Sequence, residues 1–279
     1  MATKHEFSGA LGSALIITPL ITTALALVLS LIYAYILVWS PIAGYVNLLF
    51  VGGFAFGLAM AVVYAVRQAK CRNQAVAMLA GAWTGLVALY ASWAFFVFAL
   101  VSRFSNEGVG MLDVFLQPVV LWEFILNLNA DGWYEIFGGT PSGGLLWGLW
   151  GIEALIILGG AVLGGFSAFA DVSFCESCNV WTEDAPFVGR RALPSEGTSA
   201  VFSAENLQEL EALPAPEEGL VPHLRLKAQQ CPGCHSFTTA QLELVQYVED
   251  DGKISEKVDK LGGAYVYDAG EVSRMQALA

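Results

Sequence analysis

The sequence predicts a membrane α-helical bundle, four transmembrane helices plus an interfacial helix, followed by a small C-terminal β-domain. Three observations predict it. Of 279 residues, 56% are hydrophobic and 14% are charged, about half the charged fraction of a soluble domain. Four apolar segments each reach the ~20 residues that a helix needs to cross the hydrocarbon core of a bilayer. Behind them, an acidic tail carries four cysteines as two CxxC pairs.

A short tail, residues 1–10, leads into a membrane domain over 11–169, and a further domain occupies 170–279. The first apolar segment runs from about Leu11 to Trp39. Pro19 removes one backbone donor there and is expected to kink the helix. Lys4 ahead of an apolar run containing Ala24-Leu25-Ala26 has the ingredients of a secretion signal, but the run continues well past that tripeptide, so an uncleaved anchor is expected. The second segment covers roughly Val46 to Val66, the third Ala75 to Val101 and the fourth Leu145 to Phe169. Between the second and third lies the densest basic loop, Arg67 to Arg72. Positive charge in short loops marks the cytoplasmic side. Counting crossings from that loop puts the N-terminus and the cysteine-bearing domain in the cytoplasm too. The absence of N-x-S/T sequons fits a bacterial inner membrane. Thiols in that reducing compartment bind metal rather than pair as disulfides.

Met111 to Leu128 is mostly apolar yet carries Asp113, Gln117, Glu123 and Asn127, which fall within an arc of about 120° on a helix. We expect an interfacial helix over 111–128, broken or bent by Pro118 near its first turns, with Trp122, Trp133 and Tyr134 in an interfacial belt. The alternative is an extra crossing of about 18 residues that would flip the tail outside. Four polar groups and a proline in so short a stretch argue against it. GxxxG spacing at Gly53/Gly57, Gly81/Gly85 and Gly160/Gly164 points to close helix packing within the bundle rather than to a homodimer. Glu153 is the one ionisable residue deep in an apolar segment. It is either a proton or cation site, as in transporters, or a protonated or hydrogen-bonded group that fixes helix register. The second reading is preferred, because only hydroxyls such as Thr18, Thr22, Thr23, Thr84 and Ser92 accompany it.

Residues 171–279 hold eight Lys or Arg against eighteen Asp or Glu, a net charge of −10. Phosphate backbones repel such a domain, which excludes nucleic acid as a partner class. Its thiols lie in Phe174-Cys175-Glu176-Ser177-Cys178-Asn179 and Gln230-Cys231-Pro232-Gly233-Cys234-His235. These two hexapeptides resemble the knuckles of the zinc-ribbon family and, more loosely, those of the rubredoxins. The resemblance implies a tetrahedral site in which Cys175, Cys178, Cys231 and Cys234 hold one structural Zn2+, with iron as the alternative. The residue after each CxxC is commonly glycine in a left-handed turn. Here it is Asn179, which tolerates that conformation, and His235, which does so less readily.

Five prolines and acidic filler over 185–222 read as a surface insertion, with a short capped helix beginning at Ser203. Leu224–Lys227 and Ala240–Glu249 alternate as half-buried strands, and Asp251-Gly252 marks a hairpin before Ile254–Tyr267. Redox cycling competes with metal binding for a single CxxC, but two pairs favour a metal. Cys71 reads as a free thiol. No enzyme is expected: the three histidines pair with no nucleophile motif, and neither a phosphate loop nor HExxH is present. The sequence therefore points to an accessory or scaffold subunit of a membrane complex, held in the lipid bilayer, whose acidic domain docks a protein partner. A small transporter or channel component using Glu153 and a rubredoxin-like electron-transfer module are the alternatives.

Overall fold

The computed structural model describes residues 2–40, 43–104, 110–132, 139–193, 205, 207–217, 219–250 and 252–278. Trp133, Tyr134, Ser203 and Asp251 lie outside them. The chain opens on β1 (Thr3–Lys4) and continues through α1 (Ala14–Trp39), α2 (Ala43–Gln68) and α3 (Gln74–Phe104). The shorter α4 (Met111–Leu116) and α5 (Pro118–Asp131) precede α6 (Gly143–Ser167). Helices α1, α2, α3 and α6 are long and apolar enough to cross a membrane. Pro19 lies inside α1 without ending it.

Residues Gly9–Ala170 form one unit. Its helices reverse the pattern of a soluble bundle. Along α1 as far as Ser30 the buried positions are small or hydroxylated, Ala14, Thr18, Thr22, Ala26 and Ser30, with Tyr33, Leu37 and Val38 buried toward its end, whereas Leu15, Ile16, Leu20, Val28 and Ile32 are exposed. Small residues inside and large aliphatics outside are what helix association in lipid requires. Helix α1 packs on α2 and α3, α6 packs on the same two, and α2 and α3 sit on a diagonal. Tyr33 stacks on Phe54 at 4.5 Å between α1 and α2. Ser30 donates to the Ala88 carbonyl at 3.1 Å between α1 and α3.

Backbones meet closely at α6. A Cβ at Gly164 would lie 2.6 Å from the Ala59 oxygen of α2, and one at Gly81 would lie 2.9 Å from the Ala161 carbonyl carbon. Gly160 and Gly85 share these two faces, and Gly165, outside the GxxxG pairs noted above, abuts the Ala77 backbone. The expectation for Gly53 is corrected: a Cβ there meets nothing within 4 Å, and Gly57 meets only the Leu29 side chain at 3.5 Å. Helix α2 offers Ala55 and Ala59 to α6 instead.

Pro118 breaks the helix expected over 111–128 into two pieces. Pro118 has no amide proton to continue α4 and occupies the first turn of α5, where none is needed. The two pieces have 6 and 14 residues, both short of a crossing. Tyr90 ties α4 to α3 by donating to the Phe115 carbonyl at 2.6 Å. Asn129 of α5 donates to the Gly143 carbonyl at 3.0 Å. Arg67, from the basic loop, donates to the Ala168 carbonyl at 3.1 Å and so caps α6.

Residues Met1–Ser8 and Asp171–Ala279 form the second unit. It contains the small ribbon β2 (Phe174–Cys175) and β3 (Val180–Trp181), then β4 (Glu183–Ala192), α7 (Leu207–Glu211), β5 (His223–Gln230), β6 (Thr238–Asp250), β7 (Lys253–Tyr267) and α8 (Ala269–Gln276). Five strands pair antiparallel in the order β1-β7-β6-β5-β4. Strands β6 and β7 pair up to Asp250 and Lys253, and Gly252 ahead of β7 adopts φ 75°. Leu207 and Leu210 of α7 and Val272 and Met275 of α8 pack with Leu224, Leu226 and Leu242 of the sheet.

The surface insertion was expected from residue 185, but 185–192 belong to β4, whose Ala185 and Phe187 enter the core. Pro186 is compatible with that strand because β4 lies at the sheet edge, and the pairing shifts register between Asp184 and Val188. Strand β1 precedes α1 and yet pairs with β7, Thr3 opposite Val266. Both ends of the four-helix segment therefore join one folded unit, which requires an even number of crossings wherever those helices span a bilayer.

Arg274 and Glu211 make a two-bond pair, both at 2.7 Å, between α8 and α7. The Arg274 guanidinium holds the Glu211 carboxyl below its ordinary range. A depressed carboxyl stabilises the fold above its unfolded pKa and loses that contribution as pH falls through the folded value. The pair is partly exposed, so Arg274→Met is expected to cause a small loss of stability at neutral pH. The cost should vanish in strong acid, as urea unfolding at both pH values would show.

Candidate metal centre

The four cysteines converge from two hairpin turns. In the first, β2 and β3 pair Cys175 with Val180, and the tight turn between them closes with Asn179 at φ 54°. In the second, the Cys231 amide donates to the Phe237 carbonyl at 2.9 Å and the His235 amide to the Cys231 carbonyl at 3.0 Å. His235 adopts φ 55°. Both residues after the CxxC pairs thus take the left-handed conformation, His235 included.

The four Sγ atoms lie within 4.8 Å of one another. Cys175 and Cys234 are 4.0 Å apart at sulfur, against the ~2.05 Å of a disulfide. Four thiolates bound about 2.3 Å from one tetrahedral ion lie about 3.8 Å apart, so the donor set fits such an ion after a contraction of about 1 Å or less between sulfurs. Gly233 is required by this approach: a Cβ there would lie 3.3 Å from the Cys178 sulfur. Cys175 and Cys231 are buried and Cys234 is exposed.

The electrostatics agree with a cation between them. The Ser236 hydroxyl and the amides of Phe237 and Ser236 lower the Cys234 thiol to about 6. The Cys234 and Cys231 thiols push Cys178 up to about 12. Four adjacent sulfurs cannot all ionise without a positive charge among them, which a bound metal supplies.

Aromatic rings back both knuckles. Phe174 meets Trp181 edge-on at 4.9 Å, and Phe7 meets Trp181 at 6.2 Å. His5 lies 6.0 Å from Phe237. The first residues of the chain thereby pack on the aromatic residues that neighbour the knuckles. Nothing in their spacing gives them a role, and only their aromatic content at positions 5 and 7 stands out. His235 is exposed and lies outside the sulfur cluster. Cys71 is buried in the loop between α2 and α3, its thiol pushed up by burial.

The chain matches no family model, no curated protein and no solved structure. Its function must be read from its own geometry.

Glu153 occupies the other unit, apart from the cysteines. It accepts a hydrogen bond from the Asn47 side-chain amide of α2. Asn47 is a partner that hydropathy alone does not single out, since one amide barely lowers the mean of an apolar helix. Of the hydroxyls expected near Glu153, Ser92 lines the same cavity. Thr22 and Thr84 instead donate to carbonyls of their own helix, at Pro19 and Ala80.

Proposed function

We propose that this protein is an integral membrane accessory or scaffold subunit. Its four long helices anchor it by crossing the bilayer, and its acidic, zinc-stapled cytoplasmic domain docks a protein partner of basic surface. A site with four protein thiolates leaves no open coordination position for a substrate, which assigns the metal to shape rather than to chemistry.

The observation that carries the docking role is the β6–β7 hairpin. Strand β5 accompanies β6 only as far as Val245. Beyond it, Gln246–Asp250 pair with Lys253–Lys257 alone. This arm reaches about 17 Å past the sheet. An isolated two-strand ribbon is marginal in water, yet this one displays Val248 and Ile254 at 45% and 56% exposure, with Val258 at 37% where the arm joins the sheet. Glu249, Asp250 and Glu256 outnumber Lys253 and Lys257 on the arm, in keeping with the acidic charge of the whole domain.

Replacing Ile254 and Val258 with Asp tests this directly. The expected result is loss of a stoichiometric partner on extraction from native membranes, with metal content unchanged. A wild-type chain that runs only as a lone monomer at native levels would contradict the proposal.

A further inference from the structure

Residues of α1, α2, α3 and α6 line a partly open cavity with room for about three waters. Glu153 and Asn47 both line it. The Asn47 amide spends a donor on the Glu153 carboxylate, and this orientation leaves the buried Asn47 Oδ1 without a hydrogen-bond partner. Two acceptor groups therefore share one enclosure. Among the described residues that line it, none is Lys, Arg or His.

The walls are aromatic. Trp93 and Trp150 stand at 84° with centroids 4.8 Å apart, and Phe96 meets Trp93 edge-on at 5.8 Å. Tyr33 closes the side formed by α1. An aromatic lining suits an organic cation, which ring faces attract. A carboxylate here excludes an anion. A hard metal ion calls for about six oxygen ligands, and with two side chains and about three waters the site falls short of that number. A cation carrying N–H groups satisfies every element of the site: charge for Glu153, a donor for Asn47 Oδ1 and a small alkyl group for the rings.

We propose that this cavity binds a small primary alkylammonium ion, held by Glu153 and Asn47 inside the cage of Tyr33, Trp93, Phe96 and Trp150. The site is independent of the docking domain and does not rest on the proposed function. Removing the charge alone is expected to weaken binding by roughly tenfold or more.

The test is a titration of the full chain in detergent, holding its metal, with ethylammonium as the probe and tryptophan fluorescence as the readout. Wild type should show a saturable change. Glu153→Gln should shift the midpoint upward by about tenfold, and Asn47→Leu, a second variant that keeps the carboxylate, should shift it in the same direction. Tetramethylammonium, which has the charge but no N–H, should bind more weakly, while 1-propanol and sodium chloride should give no saturable change. The proposal is overturned by the absence of saturation in wild type or by an equal response to 1-propanol. It is likewise overturned if tetramethylammonium matches ethylammonium, or if the midpoint is unchanged in whichever of the two variants keeps the wild-type melting temperature.

Discussion

Cys231→Ser is expected to strip the metal from the protein and melt both knuckles. Cys231 is fully buried, and its sulfur would lie 3.7 Å from a Cβ at Gly233 of the same turn. Its amide and carbonyl carry the two backbone bonds of the second knuckle. A hydroxyl there is a poor ligand, and three remaining thiols cannot complete the tetrahedral set. Structural zinc contributes on the order of 10 kcal/mol in peptides that fold only with metal. The loss here should stay local, because the sheet has its own core of leucines from β5 and β6 with α7 and α8. Metal content by elemental analysis should fall from one per chain to below about a tenth. Trp181, which rests on Phe174 beside the site, should become solvent-exposed, while far-ultraviolet dichroism keeps its strand signal. Cys71→Ser should retain the metal, because Cys71 stands outside the cluster.

Gly165→Val is expected to be the most damaging single change in the helical unit. A Cβ at that position would lie 2.6 Å from the Ala77 carbonyl carbon and 2.9 Å from the Met78 Cα. Both obstacles are backbone, so no side-chain rotation relieves the clash and α3 must move away from α6. Overpacking of this kind costs about 3 kcal/mol or more. Gly53→Ala provides the contrast, since open space surrounds that position and alanine favours the helix by up to about 1 kcal/mol. Thermal unfolding in detergent should show a large drop for the first variant and no drop for the second. A Gly165→Val protein as stable as wild type would mean that α3 and α6 do not approach as described.

Much of the architecture was legible because its signals are local. Four apolar runs, two CxxC pairs and the Asp251-Gly252 dipeptide each announce themselves within a few residues. The break at Pro118 was legible for the same reason, although the consequence, two helices in place of one, depends on where Pro118 falls in the first turn of α5. What the sequence concealed is set by partners far along the chain. The β4 strand hides behind prolines that read as loop, and only pairing with β5 reveals it. Gly53 has the same spacing as Gly160, yet whether a glycine meets another backbone depends on how α2 is rotated. Asn47 and Glu153 are separated by 106 positions, and no periodicity links them. Strand β1 is two residues long, too short for any pattern, yet it joins the start of the chain to β7.

The central claim is that four thiolates close around one metal ion and so give the docking domain its shape. X-ray absorption at the metal edge of the intact protein, purified under reducing conditions, tests it most directly. One zinc per chain with four sulfur neighbours at about 2.3 Å is the predicted result. A metal-free protein, or a first shell containing oxygen or nitrogen in place of one or more of the four sulfurs, would contradict it.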